Sequence, residues 1–250
     1  MLPYFYHASA GTAGDELLLD EDNSRHIVQV LRMKPGEELL LTDGNGALLT
    51  AAIIDDHKKK CRVRVKTVTR QLLPKREIGI AIPPLKNASR FEWFLEKATE
   101  IGVRAIIPLL SERTERQHTK PERWQSILVS AMLQSQQTWL PKLAEAMPFS
   151  QLVASEMAGQ WLSGDGQEKA APRRLIAHCL EAPRPTDHLA DVVRAQATAS
   201  TLILIGPEGD FSAKEVEAAL AAGFVPVSLG ENRLRTETAG IVAATLLCVG

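Results

Sequence analysis

The stretch IGPEGDFS at residues 205–212, together with LGENRLRTETA at residues 229–239, decides the fold of this chain. Each stretch is a polar, glycine-bearing loop that follows an apolar run, at residues 201–205 and 225–229, and precedes a helical pattern. In open α/β sheets, loops at strand ends offer backbone N–H and C=O groups to small ligands. The pattern therefore predicts a ligand site built from these two loops.

The two loops belong to a longer alternation of strands and helices that runs from about residue 73 to the end of the chain. Strands are predicted at residues 78–82, 103–109, 175–180, 201–205 and 225–229, and helices begin near residues 89, 119, 188, 213 and 236. Ser89 with Glu92 and Thr119 with Glu122 are predicted capping boxes, and Gly102 is a predicted helix stop. This alternation indicates an α/β fold with a mostly parallel sheet covered by helices.

Residues 1–72 follow a different pattern, with short strands around one helix. Apolar runs at residues 38–42 and 48–54 flank Asp43-Gly44-Asn45-Gly46, which is a strong hairpin signal because Asp-Gly and Asn-Gly readily adopt positive φ. A short amphipathic helix is predicted between Asp22 and Met33. We expect a small β-rich barrel or meander.

The last strand of this first region is strongly basic. Its cations are Lys58, Lys59, Lys60, Arg62, Arg64, Lys66 and Arg70, with no acid among them. Because Arg62, Arg64 and Lys66 alternate with apolar residues, the period of two places these three cations on one face. Such a face suits a phosphate backbone. A solvated outer face, or an edge strand protected by lysine, explains the same pattern.

Composition excludes several other classes of protein. The 250 residues, of which 45% are hydrophobic and 24% charged, are typical of a globular protein with one large or two smaller domains. A formal net charge of -1 means that a local basic patch must hold any nucleic acid. Three widely spaced cysteines without a CxxC pair argue against disulfides and a metal site. With no signal-peptide pattern and no apolar run near the ~20 residues of a membrane span, we expect a cytoplasmic protein without a membrane role.

The first loop favours a ligand other than a dinucleotide or a polyphosphate. Gly206-Pro207-Glu208-Gly209 is not the GxGxxG of dinucleotide sites and lacks the lysine and hydroxyl of a phosphate loop. Pro207 also removes one N–H donor. A neutral or cationic ligand therefore fits better. Ser212 and Glu215 form a predicted capping box that explains those two residues structurally.

The second loop is charged where a buried helix begins. Arg233, Arg235 and Glu237 alternate just before residues 241–249, which are nearly all apolar. One explanation is an ion pair, Arg235 with Glu237 or Arg233 with Glu208, and Thr236 as the helix N-cap. The other explanation is a ligand site, and the residues alone leave both open.

Taken together, these motifs resemble the RsmE family of SPOUT methyltransferases. The matching stretches are IGPEGDFSAKE at 205–215, SLGENRLRTETA at 228–239, FEWFLEKATEIGV at 91–103 and SRHIVQVLRMKPGEELLLTDGNG at 24–46. The resemblance implies a PUA-like RNA-binding barrel over residues 1–72 and a SPOUT domain over residues 73–250 with a deep trefoil knot. It also implies a homodimer that uses S-adenosylmethionine to methylate N3 of one uridine in 16S ribosomal RNA, on the assembled small ribosomal subunit.

The resemblance assigns roles to individual residues. Its cofactor loops correspond to Leu180, Glu181, Ala182, Ile205, Gly206, Pro207, Glu208, Gly209, Phe211, Leu229, Gly230, Asn232, Leu234, Arg235, Thr238 and Ala239. We hypothesise that Arg235 stabilises charge on the uracil oxygens and that Glu237 or Glu208 accepts the N3 proton. The cations expected to bind RNA are Arg25, His26, Arg32, Lys58, Lys60, Arg62, Arg64, Lys66, Lys86 and Arg90.

The sequence departs from the family pattern at one position and in one segment. Asp210 stands where the family usually has glycine, and Leu133-Gln134-Ser135-Gln136-Gln137 replaces a segment that tends to carry glutamate and arginine. Two alternative functions remain at this point. One is a SPOUT enzyme that acts on transfer RNA or on another ribosomal position, and the other is a non-catalytic RNA-binding factor in ribosome assembly.

Overall fold

The computed structural model describes residues 2–9, 11–115, 120–154, 171–179, 187–195 and 198–250. The chain forms two compact units. The first comprises Met1–Leu73 with Met132–Leu140, and the second comprises Pro74–Ala131 with Pro141–Gly250. The expected cofactor residues Leu180, Glu181 and Ala182 lie outside the described residues.

The first unit is a five-stranded sheet. Its strands are β1 (Tyr4–Tyr6), β2 (Glu16–Leu18), β3 (Glu38–Thr42), β4 (Ala47–Asp55) and β5 (Arg62–Arg70), in the order β1-β3-β4-β5-β2. β1 pairs with β3 in parallel, and the other pairs are antiparallel. Alternate residues such as Leu39, Leu49 and Val63 are buried and form the core of this unit. The predicted hairpin is confirmed, with positive φ at Gly44 and Gly46.

The helix predicted between Asp22 and Met33 is shorter and of mixed type. An α-helix, α1, covers Glu21–Arg25, and a π-helix continues it over His26–Val30. The N–H of Leu31 donates to the carbonyl of His26, which is the i→i+5 pattern of a π-helix. Arg32 then has a φ of 56°, which ends the helical path.

The segment 132–140 belongs to the first unit and packs against residues of its sheet and hairpin, which the sequence did not indicate. The hydroxyl of Tyr4 donates to the carbonyl of Gln137 at 2.8 Å, and the N–H of Gly46 donates to the carbonyl of Thr138 at 2.9 Å. The ring of Trp139 occupies the space that a side chain on Gly46 would need. Gly46 is thus required both by its φ of 87° and by this close approach.

The second unit is a parallel sheet with helices. Its strands are β6 (Ile78–Ile82), β7 (Ala105–Leu110), β8 (Lys142–Leu143), β9 (Met147–Pro148), β10 (Arg173–Ala177), β11 (Asp187–His188), β12 (Thr201–Ile205) and β13 (Val225–Ser228). The order is β11-β13-β10-β12-β6-β7-β8, with β9 also on β7, and every described pair is parallel. The helices are α2 (Ala88–Ile101), α3 (Pro121–Gln134), α4 (Phe149–Ala154), α5 (Leu189–Ala195), α6 (Ala213–Ala221) and α7 (Thr236–Val249). The predicted α/β fold with a mostly parallel sheet is confirmed.

Local start and stop signals were right for the start of α6 and the end of α2, and wrong for the starts of α2 and α7. The capping box of Ser212 and Glu215 opens α6, and Gly102 ends α2 with a φ of 104°. The predicted Ser89 cap is wrong, because Asn87 is the N-cap and its side chain accepts from the N–H of Ser89. Glu92 instead pairs with Arg123 of α3. Thr119 lies outside the described residues.

The strand order brings the two loops of interest together. β10 lies between β12 and β13, with Ala177 opposite both Ile205 and Val227. Parallel strands end at the same edge of the sheet, so the loops after β10, β12 and β13 are neighbours. α7 packs closely against α2 and β6, because Gly240 leaves room for Phe94 and Ile82. This arrangement fixes the start of α7 beside the loops.

Candidate functional site

A cavity of about 970 Å³ opens where β10, β12 and β13 end. The predicted cofactor residues that line it are Ile205, Gly206, Pro207, Glu208, Leu229, Gly230, Asn232, Leu234, Arg235 and Ala239. Gly209, Phe211 and Thr238 are not among the residues that line it. Phe211 is fully buried and packs against Phe149 with ring centroids 5.4 Å apart, so it supports the loop from the core.

Several residues that line the cavity were not predicted as cofactor residues. They include His178 and Cys179 after β10, Asp210 in the first loop, Glu231 and Arg233 in the second loop, and Arg90 of α2. A strand was predicted at residues 175–180, but β10 ends at Ala177, so His178 and Cys179 lie in the loop that lines the cavity. No local signal connects Arg90 with the two loops, because its partners lie more than a hundred residues away.

Arg90 joins the two candidate catalytic carboxylates. Its Nη1 lies 3.2 Å from Oε1 of Glu208, and its Nε lies 3.6 Å from Oε1 of Glu237. The ion pairs predicted from the sequence, Arg235 with Glu237 and Arg233 with Glu208, are therefore wrong. Among the described residues, neither Arg233 nor Arg235 makes an ion pair, and both are exposed. Their guanidinium groups face solvent and can meet an anionic or polarised ligand.

The two carboxylates differ in their surroundings. Glu237 lies in the first turn of α7 with only 9% of its side chain exposed, and its Oε2 has no hydrogen-bond partner within the described part of the chain. Glu208 lines the cavity and exposes 58% of its side chain. Glu208 can thus reach a ligand directly, whereas Glu237 contacts Arg90 and is not among the residues that line the cavity.

Thr236 connects the second loop to the first. It is the first residue of α7, and its Oγ1 donates to the carbonyl of Gly206 at 3.0 Å. The prediction of Thr236 as N-cap is therefore wrong. Arg235 holds that position with extended dihedral angles and makes no capping hydrogen bond through its side chain. The side chain of Arg235 thus remains available at the mouth of the cavity.

The basic strand β5 has the predicted alternation, but its cations are largely neutralised. Arg62, Arg64 and Lys66 are exposed, while the residues between them are buried. Arg64 lies 2.6 Å from Glu16, Lys66 lies 2.6 Å from Glu38, and Arg62 lies 3.5 Å from Asp55. β2 pairs with Arg62–Arg64, so the edge-strand alternative is wrong for these residues.

The other expected RNA-binding residues fall into paired and unpaired groups. Arg25 pairs with Glu21 at 2.7 Å, and Lys86 pairs with Glu115 at 3.2 Å. Of the expected RNA-binding residues, Arg32, Lys58 and Lys60 are exposed and make no ion pair among the described residues, and the same holds for Arg70 of β5. His26 is exposed, with its ring edge-on to Phe5. In the first unit, the exposed cations that make no ion pair among the described residues, and can therefore contact RNA phosphates, are Arg32, Lys58, Lys60 and Arg70.

Two further searches bear on the class of site. Over the residues with described coordinates, no group of three or more His, Cys, Asp and Glu side chains could hold a metal ion. No helix in that same part of the chain combines the length and apolar character that a bilayer span requires.

Comparison with known proteins identifies both units. Residues 72–248 match the model of an RNA methyltransferase domain, and residues 19–66 match that of an RNA methyltransferase PUA domain. The ribosomal RNA small subunit methyltransferase E of Synechocystis is 32% identical over 220 residues, which cover 87% of this chain and 68% of the relative. A probable rRNA-methyltransferase from Porphyromonas gingivalis is 41% identical with a TM-score of 0.83, and the match covers 99% of each chain. A ribosomal RNA small subunit methyltransferase E from Neisseria gonorrhoeae, bound to S-adenosyl methionine, is 27% identical with a TM-score of 0.80 and covers 98% of this chain and 96% of its own.

Proposed function

This chain belongs to the RNA methyltransferase family whose domain covers residues 72–248, and we propose that it transfers the methyl group of S-adenosylmethionine to N3 of one uridine in 16S ribosomal RNA. The RsmE resemblance is confirmed by relatives named ribosomal RNA small subunit methyltransferase E. The observation that carries the proposal is the cavity at the ends of β10, β12 and β13, because both family motifs line it. A relative with this fold and 27% identity holds the methyl donor.

The residues of the cavity fit a nucleoside that bears a positive charge. Its volume of about 970 Å³ is at the upper end of the roughly 300–1,000 Å³ that small-molecule sites span. Pro207 offers no N–H, and residues 206–210 contain neither a lysine nor a hydroxyl for a polyphosphate. In the wall, the acids Glu208, Asp210 and Glu231 balance the cations Arg90, Arg233 and Arg235, so the lining has no excess of positive charge that would repel a cationic donor. We propose that the loops at 205–210 and 229–235 bind the donor, which supplies a methyl group on a sulfonium centre.

The chain's own task is to position uridine and to make N3 nucleophilic. Methyl transfer is an in-line displacement, so positioning of N3 supplies much of the rate. N3 carries a proton and becomes reactive when that proton leaves. Arg235 stabilises the negative charge that then develops on the uracil oxygens. Glu208, which lines the cavity, takes the proton directly or through a water, and Glu237 holds Arg90 in place.

We propose that two copies of this chain associate and that the second unit contains a trefoil knot. Residues 241–249 of α7 are nearly all apolar, yet Ile241, Val242 and Leu246 are only partly buried and Val249 is 73% exposed. Such a face is suited to a second copy of the chain. The proposal of a knot is supported by the RsmE resemblance and by the strand order, in which β10 lies between the later strands β12 and β13.

We propose that residues 1–72 bind ribosomal RNA and that residues 73–250 perform methyl transfer, in the cytoplasm. The match of residues 19–66 to an RNA methyltransferase PUA domain supports the first role. The exposed cations Arg32, Lys58 and Lys60 supply local positive charge in a chain whose formal net charge is -1. Phosphate contacts of this kind position the RNA without reading its sequence.

Replacement of both Lys58 and Lys60 by alanine is expected to weaken binding of 16S ribosomal RNA. Each phosphate contact contributes about 0.7–0.9 to the slope of log K against log salt, so the loss of two contacts flattens that slope by about 1.5. Fluorescence titrations of RNA at several salt concentrations measure both quantities. The matched control is Arg62→Ala with Arg64→Ala, whose charges already have acidic partners, and it is expected to change the slope less. An unchanged slope in the Lys58 and Lys60 variant would remove these lysines from the RNA contact.

The proposed function is tested by mass-spectrometric mapping of methylated uridines in ribosomal RNA from cells with and without the gene. We expect one N3-methyluridine of 16S RNA to disappear and to return with the gene. Assays of the purified protein on small subunits, large subunits and transfer RNA then identify the substrate. Methylation of transfer RNA or large subunits would replace the proposed substrate by another. No donor binding and no methyl transfer would favour the non-catalytic assembly factor.

A further inference from the structure

Asp210 occupies a backbone conformation that favours glycine. Its φ is 61°, in the left-handed region that few residues other than glycine, asparagine and aspartate adopt. Its N–H donates to the carbonyl of Pro207 at 2.9 Å, which closes the turn Pro207–Asp210. Aspartate thus adopts a turn conformation that glycine would also tolerate, and its side chain adds a carboxylate at the end of the turn.

The carboxylate of Asp210 joins two loops of the cavity. The N–H of Cys179 donates to its Oδ2 at 2.7 Å, and the N–H of Phe211 donates to its Oδ1 at 2.8 Å. β10 ends at Ala177, so the N–H of Cys179 lies beyond the hydrogen-bond ladder of the sheet. Short hydrogen bonds to an ionised acceptor are stronger than those between neutral groups. Asp210 therefore ties the loop after β10 to the loop after β12.

The residues next to Asp210 leave space for its carboxylate and hold its loop in place. A Cβ on residue 206 would lie 2.9 Å from Oδ1 of Asp210, so glycine at 206 leaves the space that the carboxylate needs. On the other side, Phe211 is fully buried and anchors the loop in the core. Asp210 thus lies in the loop that Phe211 anchors, and its carboxylate reaches across to Cys179 in the loop after β10, which also lines the cavity.

We infer that Asp210 is a positioning residue that preforms the methyl-donor cavity by fixing His178 and Cys179 against the loop at residues 206–210. The inference rests on the proposed function, since it assigns the cavity to the donor. A site that is already ordered loses less freedom when the donor binds. Loss of the carboxylate is therefore expected to weaken donor binding while the rate at saturating donor changes little.

Two variants separate the carboxylate from the backbone conformation. Asp210→Gly keeps the turn and removes both hydrogen bonds, whereas Asp210→Asn tolerates the same φ and keeps one acceptor oxygen. By calorimetry, we expect Asp210→Gly to raise the Kd for S-adenosylmethionine about tenfold or more, with Asp210→Asn in between. Hydrogen exchange of the Cys179 amide is expected to accelerate in ligand-free Asp210→Gly. Gln136→Gly is the matched control, because Gln136 also has a positive φ of 57° but belongs to the first unit.

The outcomes distinguish the inference from the proposed function. Unchanged Kd and unchanged exchange at Cys179 in Asp210→Gly would overturn the inference while leaving the donor assignment intact. If kcat of Asp210→Gly at saturating S-adenosylmethionine fell by the same factor by which KM for S-adenosylmethionine rose, a role confined to positioning the donor site would also be contradicted. If the unaltered protein fails to bind the donor, the proposed function fails, and accelerated exchange at Cys179 still tests the bridge by itself.

Discussion

Replacement of Arg235 by alanine is expected to lower the rate of methyl transfer by about 10²–10³-fold when S-adenosylmethionine is saturating. The reason is that one preorganised hydrogen-bonding group that stabilises charge in the transition state contributes about this much to the rate. Arg235 lines the cavity, is exposed, and has no ion-pair partner among the described residues. It also occupies the N-cap position of α7, so its backbone is fixed by a helix that is packed into the core. The side chain of Arg235 is therefore free to interact with substrate, while its backbone is held in place by α7.

Single-turnover methyl transfer to small subunits measures this effect, and calorimetry measures donor affinity separately. Arg235→Lys keeps the charge but loses the planar pair of N–H donors, so we expect a rate between those of the alanine variant and the unaltered protein. Arg194→Ala is the control that should leave the rate unchanged, because Arg194 lies in α5 and, among the described residues, its ion-pair partner is the exposed Asp191. Near-normal turnover of Arg235→Ala would remove Arg235 from the chemistry.

The features that could be predicted from the sequence are those set by local chemistry. Gly44 and Gly46 specify the hairpin through their positive φ, and the pair Ser212 and Glu215 specifies the start of α6 through two short-range hydrogen bonds. The cavity could be located in the same way, because loops after parallel strands converge at one edge of the sheet. Both quoted stretches accordingly line it.

The features that could not be predicted depend on partners distant in the chain. Thr236 has the side chain of a typical N-cap, but the carbonyl of Gly206, 30 residues away, is its hydrogen-bond acceptor. Gln137 joins the first unit through Tyr4, 133 residues away. Glu237 has Arg235 two residues before it in the sequence, yet it pairs with Arg90 of α2, as Glu208 does. Charge spacing along the chain does not determine which cation the fold brings to a carboxylate.

Replacement of Arg90 by methionine is expected to lower both activity and stability. The variant removes the positive charge between Glu208 and Glu237 and leaves the nearly buried carboxylate of Glu237 without its cation. Removal of one partner from a buried ion pair costs about 3–5 kcal/mol of stability. Because 34% of the Arg90 side chain is exposed, we expect a smaller loss, of about 2 kcal/mol in the free energy of unfolding. Misplacement of reacting groups by about 1 Å lowers rates by about 10², and we expect a fall of this order in methyl transfer.

A double-mutant cycle separates the pair from general damage to the fold. Glu237→Gln removes the buried negative charge, so the double variant Arg90→Met with Glu237→Gln is expected to be more stable than the sum of the single effects by about 1–2 kcal/mol. Urea unfolding followed by circular dichroism measures this coupling. Arg123→Met is the matched control, because Arg123 of α3, whose side chain is 61% exposed, pairs with Glu92 of α2 and neither residue lines the cavity. This variant should cost about 1 kcal/mol without loss of activity. Additive single effects would contradict the role assigned to Arg90, because a guanidinium that does not interact with the charge of Glu237 shows no coupling to it. An Arg90 variant as active as the control would contradict this role as well.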